Sequence, residues 1–337
     1  MRNGYTLGIE STAHTFSFGL VDPDGKPIPS VSDTIRPTEG GIHPREAADH
    51  HVDISTELFS KLLADNNLTS GDISGVAYSQ GPGMGACLRI GAAAARTISS
   101  KLDVPLIGVN HCVAHIEIGR EQCGCDDPIL LYVSGGNTQV IARLDGRYRV
   151  LGETLDIGIG NMLDKFARSH GIPFPGGPQI EKSALKWLEQ NPNPSLAGLE
   201  LPYAVHGMDL TFSGILTAAN KLVAKGKPFE AVCWSLQEHA FAACIEVAER
   251  ALAHTGKKEI LLGGGVACNQ RLRTMSEIMS SERNASSHCP PKMYCIDNGT
   301  MIARLGWLEL NSGRITSAGK SGVDQEMRTD HTPIIWA

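Results

Sequence analysis

The chain has few aromatic residues, no excess of positive charge and no long apolar run, and each shortage closes off a class of protein. Aromatic residues make up only 5% of the sequence, but 42% of it is hydrophobic, which excludes a disordered chain. No stretch reaches the ~20 consecutive apolar residues needed to cross a bilayer. The opening "MRNGYTLGIESTAHT" lacks the apolar segment of a signal peptide. A protein that is neither secreted nor membrane-spanning is expected. The nine cysteines are an odd number without zinc-finger or redox spacing, which argues against a disulfide framework and for a reducing compartment, the cytoplasm. The formal charge of −6 excludes a protein that grips nucleic acid by bulk electrostatics. RNA as a substrate then requires basic partner subunits or a local patch such as Lys221, Lys225 and Lys227 in "NKLVAKGK", lysines that also read as a solvated helix end.

What is present points to an α/β protein of two domains, for which 337 residues are sufficient. Several of the 37 glycines cluster after aliphatic runs and before helical patterns, at "GVAYSQGPGMGACLRIGAAAARTISSKL" (75–102) and "EILLGGGVACNQRLRTMSEIM" (259–279). That order is strand, tight loop, helix. Two other segments, 6–22 and 129–145, each read as a strand, a short polar turn and a second strand, and they open the two halves of the chain. Strands alternating with helices, with a hairpin beginning each half, predict two related lobes with a cleft between them. The Pro- and Gly-rich stretch 190–214 reads as a long loop. Residues 298–314 carry apolar residues at helical spacing, expected to form a helix packed back on the first lobe.

In "NHCVAHIEIGR" (110–120), His111 and His115 lie one helical turn apart, which lets both imidazoles reach one cation. The same spacing also suits packed or solvated histidines. A zinc protease of the usual kind needs Glu directly after the first histidine as general base, and Cys112 stands there. "YVSGGNTQ" places Ser134, Gly135 and Gly136 between strands, either as an ordinary hairpin turn or as backbone open to an anion. "LLGGGVACNQRL" puts three glycines between a strand and a helix N-terminus, where a nucleotide phosphate can sit, although it matches neither the Rossmann fingerprint nor a P-loop. The glycines of "SQGPGMG" are equally open between phosphate binding and close helix packing. Asp297 in "IDNGTMIA" precedes a helix, where a carboxylate acts as N-cap or as a metal ligand. Asp164 and Glu181 read either as exposed helix residues or as partners for ribose hydroxyls.

Taken together, "GIESTAHT", "GPGMGACLRIG", "GVNHCVAHIEIGR", "YVSGGNTQVI", "GETLDIGIGNMLDKFAR", "GMDLTFSG", "GGGVACN" and "IDNGTMIA" resemble, in order and over about residues 5–330, the universal tRNA threonylcarbamoyladenosine synthase family. Tyr132 before "VSGG" and Asn137 after it resemble the archaeal and eukaryotic branch, the KEOPS-complex subunit, and the free-standing form is expected because no kinase domain follows. The resemblance implies an actin-like, sugar-kinase (ASKHA) fold with a duplicated RNase H-like core and a nucleotide cleft between its lobes. The expected boundaries are 1–126 for the N-terminal lobe, 127–300 for the C-terminal lobe and 301–337 for the returning helix and tail.

The resemblance further implies one divalent metal, iron foremost with zinc or magnesium open, held by His111, His115, Tyr132 and Asp297. It implies adenylate binding by Tyr132, Val133, Ser134, Gly135, Gly136, Asp164, Gly177, Glu181 and Asn269, with Glu10, Ser11 and His14 facing the substrate as catalytic candidates. The implied reaction transfers threonylcarbamoyl from threonylcarbamoyl-AMP to N6 of adenosine 37 in tRNAs reading ANN codons. Its implied partners are tRNA and the KEOPS subunits, a small kinase and a small dimerising protein. Two other classes stay open: a sugar or acetate kinase of the same superfamily, which has no use for the paired histidines, and a silent nucleotide-binding scaffold, which has no need to keep them.

Overall fold

In a computed structural model, residues 4–35 and 43–336 are described, and they form two compact units. Unit 1 comprises 1–122, 144–148 and 291–337, and unit 2 comprises 123–143 and 149–290. The outer ends of the expected lobes, 1–3 and 337, and residues 36–42 lie outside the described residues.

Unit 1 is built on a sheet of β1 (Tyr5–Glu10), β2 (Thr15–Val21), β3 (Pro27–Thr34), β4 (Ile73–Gly81) and β5 (Leu106–Asn110). The strand order is β3-β2-β1-β4-β5, antiparallel from β3 to β1 and parallel from β1 to β5. Alternation along β1 sends Leu7 and Ile9 to one face and Gly8 and Glu10 to the other. The first face packs on α1 (Pro44–Asp65) and α2 (Gly85–Leu102) through Phe16, Phe18, Leu58, Leu62 and Ala92. On the second face lies the C-terminal helix Gly299–Asn311. Its approach depends on missing side chains: a Cβ at Gly8 would stand 2.2 Å from the Ala303 nitrogen, and one at Gly19 would stand 2.0 Å from the Thr300 nitrogen. The periodicity of 298–314 therefore marks a helix laid against backbone, and Asp297 immediately before it is brought onto the same face as Glu10.

Unit 2 repeats this topology. Its strands are β6 (Ile129–Val133), β7 (Thr138–Leu144), β8 (Arg147–Glu153), the short pair β9 (Val205–His206) and β10 (Asp209–Leu210), then β11 (Glu259–Gly263) and β12 (Ser286–His288). The main sheet runs β12-β11-β6-β7-β8, with β6 and β7 antiparallel and β6, β11 and β12 parallel. Three strands in sequence followed by two parallel additions is the arrangement of unit 1, so the duplication expected from the paired hairpins is present in the strand order. The helices of unit 2 are α4 (Ile159–Ser169), α5 (Gly177–Gln190), α6 (Ser213–Ala224), α7 (Phe229–Thr255) and α8 (Gln270–Glu282), and α3 (His111–Cys123) precedes them in the chain. The interval 190–214 is mostly loop, as its composition predicts, broken by the β9–β10 pair. No described helix is long and apolar enough to cross a membrane.

His51 of α1 ties the turn after β1 in place. It is fully buried, and its Nε2 lies 3.0 Å from the Ala13 carbonyl oxygen. Burial pulls its pKa down to about 4, outweighing that hydrogen bond, and His50 and His14 add repulsion. A histidine whose folded pKa lies below its unfolded value of ~6.5 stabilises the fold fully above that pH and loses the contribution as pH falls through the folded value. Stability should therefore fall between about pH 6.5 and pH 4 by up to about 3 kcal/mol from this group. Denaturant titrations at successive pH values should show the acid limb flattened in His51→Gln; an unchanged limb would assign the loss to other groups.

Candidate functional site

Unit 1 gathers a cluster of metal-type donors. Strand β5 delivers the chain to Asn110, whose side-chain oxygen accepts the Val113 N–H (3.1 Å) as a helix cap, so α3 begins at His111. His111 and His115 then project from successive turns, with ring centroids 4.8 Å apart and planes at 84°. Asp297 arrives from the other end of the sequence. Its Oδ1 lies 3.2 Å from His115 Nε2 and 3.5 Å from His111 Nε2. One atom from each of the three residues falls within 4.8 Å of the others, close enough to converge on one cation with small movements. The N-cap of the C-terminal helix is Asn298, which accepts the Met301 N–H (2.9 Å). The capping alternative for Asp297 is thereby overturned, and its carboxylate is directed to the histidines.

Glu10 stands behind His111. It is fully buried, and its Oε2 accepts from His111 Nδ1 at 3.0 Å, while Oε1 accepts the Thr12 N–H at 2.7 Å. This carboxylate fixes the imidazole with Nδ1 protonated and Nε2 facing Asp297, the arrangement by which proteins orient a ligand histidine. Burial opposes charge on His111, but the carboxylates of Glu10 and Asp297 outweigh it and push the pKa up to about 9. His115 goes the other way, lowered by burial with His111 adding repulsion. For Asp297 burial favours the acid, yet His111 and His115 hold the carboxylate well below its usual range. The result is a compact anionic seat lined by imidazole nitrogen, which fits a divalent ion. Glu10→Gln should weaken metal affinity ~10–100-fold without unfolding the protein, as read by competition with a chromophoric chelator; unaltered affinity would remove Glu10 from any orienting role.

The other two candidates from the first turn sit differently. Ser11 is fully buried, its N–H donates to Ser79 Oγ (3.1 Å), and its hydroxyl is directed at α2, where a Cβ on Gly91 would stand 2.1 Å from Ser11 Oγ. His14 is half-buried in the bend just before β2.

The candidates for adenylate binding come together within unit 2. The hairpin turn between β6 and β7 is closed by the Ser134 N–H donating to the Asn137 carbonyl (2.8 Å), and Gly135 and Gly136 are exposed. Its carbonyls serve as the first acceptors of α4: Gly160 N–H donates to Ser134 (3.0 Å) and Asn161 N–H to Gly135 (2.9 Å). Against the other side lies Gly264, in the left-handed half of backbone space at φ +89°, where a Cβ would be 2.4 Å from the Val133 carbonyl oxygen. Just beyond, Asn269 caps α8, accepting from the Arg271 and Leu272 N–H groups and donating to Gln237 Oε1 (2.6 Å). Glu181 of α5 accepts the Gln270 N–H (2.7 Å), and Asp164 of α4 accepts the Gly176 N–H (2.7 Å) just before Gly177. Neither carboxylate is the merely exposed helix residue that composition allows. The named amides of the α4 and α8 N-termini are thus taken up by the turn carbonyls, Asn269 and Glu181, and the backbone open to an anion is the exposed Gly135–Gly136 segment of the turn. Tyr132 and Val133, in β6, are buried. The lysines 221, 225 and 227 are exposed at the end of α6, as a solvated helix end requires.

Sequence reasoning missed the pairing of Glu10 with His111, separated by 101 residues. It also missed a second donor cluster, Cys125, Glu259 and His288 in unit 2.

The model of the tRNA N6-adenosine threonylcarbamoyltransferase family matches residues 29–304. A probable bifunctional tRNA threonylcarbamoyladenosine biosynthesis protein of Methanosarcina barkeri is 51% identical, with all of this chain covered but only 60% of the relative. The chain therefore spans about 60% of such bifunctional relatives. The tRNA N6-adenosine threonylcarbamoyltransferase of Thermococcus kodakarensis is 50% identical, covering 98% of this chain and 99% of that protein. Among solved structures, T. kodakarensis HypF superposes with a TM-score of 0.63 at 16% identity, over 92% of this chain and 48% of that one. That likeness supports the actin-like, sugar-kinase fold alone. From the family match and the relatives, the chain belongs to the tRNA N6-adenosine threonylcarbamoyltransferase family.

Proposed function

We propose that the chain transfers the threonylcarbamoyl group from threonylcarbamoyl-AMP to N6 of adenosine 37 in tRNAs that read ANN codons, releasing AMP. The observation that carries this reading is about 50% identity over nearly the full chain to a protein named for that activity, with the His111–His115–Asp297 cluster assembled. The phosphotransferase and silent-scaffold readings are not favoured by the family match.

His111, His115 and Asp297 are the proposed ligands of one divalent cation, to which the resemblance adds the Tyr132 phenol. Two imidazoles with oxygen donors suit iron or zinc. When bound, such an ion would supply Lewis acidity to the transfer. Glu10 keeps His111 in the ligating tautomer. The exposed Gly135–Gly136 segment of the β6–β7 turn is proposed to receive the adenylate phosphate, with Asp164 and Glu181 toward the ribose. Rate then comes from holding the weakly nucleophilic N6 amine against the carbamoyl carbon, for which effective molarity supplies on the order of 7 kcal/mol or more. The C–N bond to N6 forms as the bond between carbamoyl carbon and phosphate oxygen breaks, and N6 loses a proton. Because the net charge is −6, tRNA docking is assigned to basic partner subunits of KEOPS type.

The test is incubation of the chain with threonylcarbamoyl-AMP, tRNA and KEOPS partners, followed by nucleoside mass spectrometry. Modified adenosine at position 37 with one AMP released per transfer is expected. Phosphorylation of a small molecule from ATP with no nucleoside change would refute the reading.

A further inference from the structure

The short segment joining α3 to β6 runs Cys123-Gly124-Cys125. Gly124 adopts φ +66° and a Cβ there would meet nothing within 4 Å, so the chain reverses locally and brings the two thiols together. Cys125 hydrogen-bonds to Cys123. At the same edge of unit 2, Glu259 begins β11 and His288 ends β12, two strands that pair in parallel with Glu259 opposite Ser286. Residues 286 and 288 share a face of β12, so His288 stands on the side that carries Glu259. Cys125 Sγ, a Glu259 carboxylate oxygen and a His288 ring nitrogen all lie within 4.8 Å of one another.

We propose that Cys123, Cys125, Glu259 and His288 form a second metal site, confined to unit 2 and separate from the His111–His115–Asp297 cluster, that takes a thiophilic divalent cation of the zinc class. Two sulfurs, one imidazole and one carboxylate supply the four donors of a closed tetrahedral site. Soft thiolates select such an ion over magnesium or calcium.

The surroundings orient two of the donors. The Asp126 and Asp127 N–H groups donate to Glu259 Oε2 at 3.1 and 2.9 Å, and Asp127 is in turn held by Lys257 and by Arg143. Ser286 Oγ lies 2.7 Å from His288 Nε2 and sets the ring. Outer contacts of this kind are what ligand residues carry. The bound cation would join the lead-in to β6 with the two strands at the sheet edge, β11 and β12, tying together segments more than a hundred residues apart in sequence.

The full chain, stripped of metal under reducing conditions and titrated with Co²⁺, should develop a thiolate-to-cobalt charge-transfer band that saturates by two equivalents, and by one equivalent in His111→Ala/His115→Ala. The band should vanish in Cys123→Ser/Cys125→Ser and persist in His111→Ala/His115→Ala. Should the double serine variant fold poorly, His288→Gln keeps both thiols and should retain the band with affinity lowered ~10-fold or more. Absence of the band in the parent protein would overturn the site, and so would its survival in the double serine variant. A Cys123–Cys125 disulfide recovered from protein that binds no thiolate-ligated cobalt after reduction would overturn it too.

Discussion

His115→Ala should lose the cation of the His111–His115–Asp297 cluster and tRNA modification together while the fold persists. His115 is 2% exposed, its Nε2 lies against Asp297, and its ring meets His111 edge-on. Removing it takes away one of three clustered donors and leaves the carboxylate of Asp297 with His111 as the remaining histidine of the cluster. A cation seated by two donors is lost readily at micromolar metal. If the reaction depends on the ion, turnover should fall by ~10³-fold, equivalent to about 4 kcal/mol of barrier. The cost to stability should be about 1–3 kcal/mol, from lost packing around a buried ring. Three readouts on the same preparations separate these effects: metal content, modified nucleoside by mass spectrometry, and thermal unfolding. A chelator should reproduce the loss in the parent protein, and metal should restore activity there but not in the variant. Parent-like metal content and turnover in His115→Ala would end the metal assignment.

The second large effect is expected at Gly264. The residue combines φ +89° with a backbone approach that leaves no room for a side chain, since its Cβ would sit 2.4 Å from the Val133 carbonyl and 3.1 Å from the Ser134 nitrogen. Gly264→Ala must either hold alanine in a conformation costing about 1–3 kcal/mol or push the β6–β7 turn away. With the clash added, a loss of about 2–4 kcal/mol is expected in denaturant unfolding. The displaced turn carries the exposed amides of Gly135 and Gly136, so AMP affinity by calorimetry should drop with it. Gly265→Ala is the control. Nothing lies within 4 Å of a Cβ at Gly265, so this neighbour should behave like the parent. Equal stability of the two variants would show that the turn does not depend on the approach of Gly264.

The contrast between these sites explains what the sequence could disclose. Both hairpins were legible because strand alternation and polar turns are local, and the helix beginning at His111 was legible from the two histidines one turn apart. The surroundings of that helix were not. Residues 111–119 of α3 are buried on every side, so no polar face identifies which side chains meet a partner. Asp297 and Asn298 compete for the same cap in sequence, and only the geometry gives it to Asn298. Glu10 reads as a strand-end carboxylate until β1 and β5, joined through β4, carry it behind His111. The Cys123-x-Cys125 pair has no zinc-finger spacing because its other two donors are contributed by strands late in the chain. Asp164 and Glu181 looked solvated because what engages them is backbone N–H, which no residue code reveals.

The helix Gly299–Asn311 covers the strands made first during synthesis, and Asp297 meets His115 across 182 residues of chain. A nascent polypeptide must therefore complete nearly all of unit 2 before the glycine-bearing face of β1 and β2 can be covered. Until then that face stays wet and adhesive, a substrate for chaperones. The ribosome thus completes unit 1 only after unit 2, although it begins unit 1 first.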